Sequence, residues 1–104
     1  MARYGLIGSF KAQPGQGDRL AGILLRAAEG LGTDASCELY VISRSPGDAD
    51  AVWVTEVWAS REAHADSLDG EATRALISEA RPLIAGMGER IELDPVGGKG
   101  LAGA

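Results

Sequence analysis

Ser45-Pro46-Gly47-Asp48-Ala49-Asp50-Ala51-Val52-Trp53-Val54-Thr55-Glu56-Val57-Trp58-Ala59 is the stretch on which the fold turns. Its first four residues are a turn signal: proline presets φ, glycine accepts backbone angles other residues avoid, and serine and aspartate bond back to the chain. Residues 51–59 then alternate, with Val52, Val54 and Trp58 on one side and Trp53 and Val57 on the other. That is the period of a β-strand. Upstream, residues 36–44 alternate in the same way, Cys37, Leu39 and Val41 against Tyr40 and Ile42. Two strands joined by so short a turn form an antiparallel hairpin.

Working outward, residues 3–11 read as a strand, with Tyr4, Leu6, Gly8 and Phe10 on one face and Ile7 conspicuous on the other. Pro14-Gly15-Gln16-Gly17 breaks it, and a helix is expected over 18–31. There Leu20, Ile23, Leu24, Ala27, Ala28 and Leu31 form one apolar stripe, and Gly30 and Gly32 end it. Downstream of the hairpin, Ser60 is a good N-cap for a second helical stretch. Asp69-Gly70 interrupts that stretch, and helical periodicity resumes through Ala72, Leu76, Ile77, Ala80 and Ile84, with a kink or end near Pro82. Beyond Gly86 and Gly88, residues 89–96 read as a final strand and 97–104 as a flexible glycine-rich tail. The order βαββαβ, with short connections, predicts an α+β ferredoxin-like fold: a four-stranded antiparallel sheet with helices on one face. The expected organisation is one domain over 1–96 followed by the tail.

Helices can cover only one face of such a sheet, yet Trp53, Val57, Ile7, Tyr40 and Ile42 give it a two-sided apolar character. An uncovered apolar face calls for a partner, and a homodimer through that face is expected. The alternative is a monomer whose Arg3, Lys11 and Arg44 stems shield it.

The chain has 104 residues, 45% of them apolar, and a formal net charge of −5. An acidic balance gives no electrostatic reason to bind nucleic acid or an anionic membrane. A single cysteine rules out an internal disulfide and a thiolate metal cluster, and fits a reducing compartment. The N-terminus lacks the pattern of a secretory signal, so the expected location is the cytoplasm. Gly15-Gln16-Gly17 has Leu20 where a dinucleotide fingerprint needs its third glycine. His64 is the lone histidine, with Ser67 and Leu68 at the positions where a second ligand would stand, so no metal is expected.

Three residues could carry chemistry. Cys37 reads better as a small buried hydrophobe than as a nucleophile. Glu56 shares a face with Val54 and Trp58, where a carboxylate is costly unless paired or facing a wet pocket; an ion pair with Arg61 or Arg81 and a role in a site are both open. His64 sits about one turn into the following helix, within reach of a pocket between helix and sheet. Imidazole is the side chain best suited to act as a base near neutral pH, although a merely satisfied histidine fits the position equally.

Glu56-Val57-Trp58, Ser60 and Glu62-Ala63 resemble the E-x-W-x-S-x-E-A signature of the antibiotic biosynthesis monooxygenase family. Pro14-Gly15 after the first strand, Cys37 and Tyr40 as C-x-x-Y, and Pro95-Val96 after the last extend the resemblance from about Tyr4 to Val96. It implies a dimeric α+β barrel and a cofactor-free enzyme that oxidises a small aromatic substrate (hydroquinone, anthrone or phenol) with O₂. On that pattern His64 is the base and Glu56 the orienter of that histidine or of a water, while Trp58, Tyr40 and Ser67 bind the substrate. Many members carry a histidine at the position of Ser67, and His64 occupies a place usually apolar in them. The alternative activities are a noncatalytic dimeric small-molecule-binding or scaffold domain, and haem degradation as in other relatives.

Overall fold

The computed structural model describes residues 3–101. The chain runs β1 (Tyr4–Ala12), α1 (Gly17–Gly30), β2 (Cys37–Ser45), β3 (Asp48–Trp58), α2 (Arg61–Ser67), α3 (Glu71–Ala80), a single 3₁₀ turn (Arg81–Leu83) and β4 (Ile84–Leu93). The four strands form one antiparallel sheet in the order β2-β3-β1-β4. This is the expected α+β ferredoxin-like arrangement, with the second helical stretch broken at Gly70. No described helix is long and apolar enough to cross a membrane.

The turn before β3 is tighter than the sequence suggests: Ser45 already pairs with Asp48, leaving Pro46 and Gly47 as the loop. Asp50 is then placed to accept hydrogen bonds from the backbone N–H groups of Gly15 and Gly17 at 3.1 and 3.0 Å. It thereby satisfies donors at the start of α1 that have no intrahelical partner. Only glycine fits at position 17, since a Cβ there would lie 2.0 Å from the Ala49 carbonyl oxygen.

The expected start of the last strand is corrected most. β4 begins at Ile84, takes in Gly86 and Gly88, and ends at Leu93, so the expectation of a strand over 89–96 is late at both ends. Ile84 pairs with Ala12, Gly86 with Lys11 and Met87 with Phe10; the glycines lie inside a ladder that β1 imposes. Of the expected 97–104 tail, residues 102–104 lie outside the described residues.

Register assigns every side chain to a face. The rows Tyr40–Glu56–Leu6–Glu92 and Ile42–Val54–Gly8–Arg90 cross the face covered by helices. Tyr40 and Ile42 thus belong to the covered face and do not contribute to the outer one. Val52, Leu20 and Ala12 form a fully buried centre with Ile23 and Ala80, and Tyr4, Leu6 and Trp58 form a second cluster toward α2. On the outer face the rows are Val41–Thr55–Ile7–Ile91 and Leu39–Val57–Gly5–Leu93. Three of these apolar side chains, Val41, Ile91 and Leu93, are 42–48% exposed. Lys11 and Arg44 are engaged by the carboxylates of Asp48 and Asp18, and Arg3 by Glu38.

Candidate active site

Between the sheet and the three helices lies a half-open cavity of about 620 Å³, within the range of small-molecule sites. Tyr40, Glu56, Trp58, His64 and Ser67 all line it. β2 and β3 supply the first three from adjacent positions of the covered face. α2 supplies the other two, because its start is fixed by Ser60, whose Oγ accepts from the Ala63 N–H at 3.0 Å. His64 follows one turn later and projects back toward the sheet.

Glu56 is the electrostatic centre. Its Oε1 accepts a hydrogen bond from the Trp58 indole N–H at 3.0 Å and lies 3.7 Å from His64 Nε2. Both side chains are nearly enclosed, Glu56 at 12% and His64 at 13% exposure. Burial pushes the Glu56 carboxyl above the usual carboxylate range, and Trp58, His64 and the more distant Arg90 oppose that rise. The imidazole stacks edge-on to Trp58 (5.7 Å between ring centres) and at a tilt to Tyr4 (5.3 Å). Neither residue expected as the ion partner of Glu56 holds it: Arg61 pairs with Glu92 at 2.8 Å, and Arg81 has no charged partner among the described residues.

The other expected residues divide. The Tyr40 hydroxyl makes no hydrogen bond among the described residues; burial and the Glu56 charge hold its pKa well above the ordinary phenol value. It therefore stays protonated and can donate its O–H to a molecule in the cavity it lines. Ser67 lines the cavity, but its hydroxyl is spent on the His64 carbonyl oxygen at 2.6 Å. Cys37 lies outside the lining; its thiol contacts the Leu39 carbonyl oxygen at 3.6 Å, and burial raises its pKa, as suits packing rather than nucleophilic attack. No cluster of three or more His, Cys, Asp or Glu suited to a metal ion occurs among the described residues.

Two contributions were not foreseen. Tyr4 packs against His64 from outside the cavity lining, its hydroxyl donating to Glu92 at 2.6 Å while the Arg61 guanidinium lies over its ring at 4.7 Å. This ties the first turn of α2 to β4. The second is a wall from β4, where Met87, Gly88, Glu89 and Arg90 enter the lining across from Gly8, Ser9 and Phe10. The β-bulge between Gly8 and Phe10 places them there. Neither pairing is legible without the β1–β4 register.

Comparison with known proteins fits this geometry. A family model described as antibiotic biosynthesis monooxygenase matches residues 3–79. No functionally curated protein matches. Among solved structures, a candidate antibiotic biosynthesis monooxygenase of Chloroflexus aurantiacus J-10-fl is 45% identical, with a TM-score of 0.87 over 96% of this chain and 99% of its own. A counterpart from Caulobacter crescentus CB15 is 23% identical, with a TM-score of 0.84 over 92% of each chain. A Pseudomonas aeruginosa protein at 18% identity has a TM-score of 0.82 over 93% of this chain and 97% of its own. At these last two levels the likeness is one of fold.

Proposed function

The chain belongs to the antibiotic biosynthesis monooxygenase family, and on that footing we propose that it is a cofactor-independent, cytoplasmic monooxygenase acting on a small aromatic phenol, quinol or anthrone. The observation that carries the reading is a largely apolar cavity that holds a carboxylate–imidazole pair and an unpartnered phenol. His64 takes the phenolic or enolic proton, and Glu56, 3.7 Å away, orients the imidazole and stabilises the imidazolium that results. The Tyr40 hydroxyl donates to the substrate oxygen that becomes anionic, a fixed dipole aimed at developing charge. Trp58 and the backs of Leu6 and Phe10 hold the planar ring, and Ser67 closes the cavity as part of α2.

The electron-rich anion then passes one electron to O₂, and the resulting pair recombines to a peroxide on the ring carbon. Loss of water leaves a carbonyl. For an anthrone, the CH₂ carbon loses four electrons to O₂, one oxygen atom enters the quinone and the other leaves as water. The functional unit is a homodimer in which the outer apolar faces meet.

An oxygen electrode with a panel of hydroquinones and anthrones tests the assignment. The wild type consumes O₂, and His64→Ala lowers kcat by about 10²- to 10⁴-fold while retaining affinity for the product quinone. Unchanged turnover in His64→Ala removes His64 as the base. The second reading, a noncatalytic binding domain, is favoured by Ser67, which stands where many relatives have histidine; quinone binding without O₂ uptake by any panel member would select it.

A further inference from the structure

Next to the cavity, at the end away from Glu56 and His64, lies a second chamber of about 300 Å³. The two share Phe10, Leu24, Ile77, Ala80 and Met87 as a common neck, while Leu20, Ile84 and Arg81 belong to the second chamber alone. All the polar side chains of the first chamber stand on its own walls and none in the neck. The second chamber is apolar except for Arg81, which is exposed and makes no hydrogen bond or ion pair with another side chain among the described residues. Arg90, the arginine of the first chamber, lies 3.8 Å from Glu92.

We propose that the second chamber is a subsite for an apolar arm on the aromatic substrate, ending in a carboxylate that Arg81 receives. The inference rests on the oxidation of an aromatic ring in the first chamber and specifies what that ring carries. The neck offers a polar substituent no partner, and with Met87 74% exposed it favours apolar groups without stripping polar ones fully of water. Each methylene buried in it is worth roughly a fourfold gain in affinity at most. An exposed arginine paired with a carboxylate adds only about two- to fivefold, and salt weakens it. The arm therefore supplies affinity, and Arg81 discriminates among terminal groups. Ring and arm together fix the ring's orientation, so that one edge faces His64 and Tyr40.

The test measures quenching of Trp58 by three unreactive probes: 1,8-dihydroxyanthraquinone, its 3-carboxypropyl derivative and the corresponding primary amide. The carboxypropyl probe is expected to bind at least tenfold more tightly than the unsubstituted one, with the amide two- to fivefold weaker than the acid. Arg81→Gln removes the difference between acid and amide but leaves the gain from the arm. Met87→Trp, at a neck position 74% exposed, lowers the ratio of armed to unarmed affinity toward one, as does Ile77→Trp. The inference is overturned if the arm brings no gain, or if the gain survives both neck substitutions. It is also overturned if Arg81→Gln lowers the melting temperature without changing discrimination, in which case Arg81 only complements the end of α3. Failure of all three probes to bind would overturn the ring-binding reading as well, whereas binding of the unsubstituted ring alone would leave that reading standing.

Discussion

Glu56 sits where a carboxylate is expensive, on the covered face of a central strand between Val54 and Trp58, and its one side-chain hydrogen bond among the described residues comes from an indole N–H. Because burial is the largest influence on it, its native pKa is raised. The folded state then holds the Glu56 proton more tightly than the unfolded chain does. The stability linked to this group is fully present below the unfolded carboxylate pKa and is lost as pH rises through the raised native value. Glu56→Gln keeps an acceptor for Trp58 and never carries the charge. The variant should melt above the wild type at pH 7–8, and the gap should narrow as pH falls toward about 4. Turnover should fall at the same time, because a neutral amide stabilises an imidazolium poorly. Calorimetry across that pH range decides it; a gap that is constant, or opposite in sign, would show that Glu56 is not desolvated. The residue itself was visible in the sequence as a charge on an apolar face, and so was His64 by its spacing from Ser60. What the sequence could not assign was the partner. Arg61 is nearer along the chain than His64 and Arg81 is the next turn past the following helix, but the β1–β4 register gives Arg61 to Glu92 and leaves Arg81 over another chamber.

At the scale of elements, β1, β2, β3 and both helical stretches were legible because their residues repeat with a local period. β4 was not. Gly86 and Gly88 are breakers by intrinsic preference, and helical spacing continues as far as Ile84, so local information places the strand five residues late. Pairing with β1 overrides it, and Gly88 has a reason to be glycine: a Cβ there would lie 2.1 Å from Ser9 Oγ. That hydroxyl is buried and accepts from the Glu89 N–H at 2.9 Å, which holds the bulge that turns Glu89 and Arg90 into the cavity wall. Gly88→Ala should therefore destabilise the fold by about 1–3 kcal/mol, the range of an overpacked core. Ser9→Ala removes the clashing oxygen but leaves the Glu89 N–H unsatisfied, at a cost of about 1–3 kcal/mol. In the double variant the added methyl meets only the Ser9 Cβ and carbonyl oxygen positions, both 3.3 Å away. Denaturant titration of the four proteins should thus give a double variant more stable than the sum of the single effects. Simple additivity would mean that β4 shifts away from β1 and the bulge is not tightly packed.

The whole molecule presents a sheet with one face under helices and the other crossed by Val41–Thr55–Ile7–Ile91 and Leu39–Val57–Gly5–Leu93, with Trp53 alongside. The indole N–H of Trp53 is satisfied by Ser45 Oγ at 3.2 Å, so that ring offers an interface apolar area without an unpaired donor. These rows run from one edge of the sheet to the other and carry no charged side chain. Of the stems expected to shield them, Arg44 shares the covered face with Val52 and pairs with Asp18, while Arg3 and Lys11 pair with Glu38 and Asp48. A patch of this kind favours association with another apolar face of the same shape, and a second copy meets that requirement by symmetry. Val41 and Ile91 stand at opposite ends of one row, on β2 and β4, and both are well exposed, so lysines there leave the core of a folded monomer untouched. Sedimentation at micromolar concentration should find the wild type at twice the 10.8 kDa chain mass. The Val41→Lys, Ile91→Lys double variant should be monomeric and well folded, its dissociation constant raised about thirtyfold or more if the row holds even one central anchor. The cavity lies on the opposite face, so the monomeric variant should still bind 1,8-dihydroxyanthraquinone. Sedimentation of the wild type as a monomer would refute the paired sheets without touching the site, because Glu56, His64 and Tyr40 all reach the cavity from within one chain.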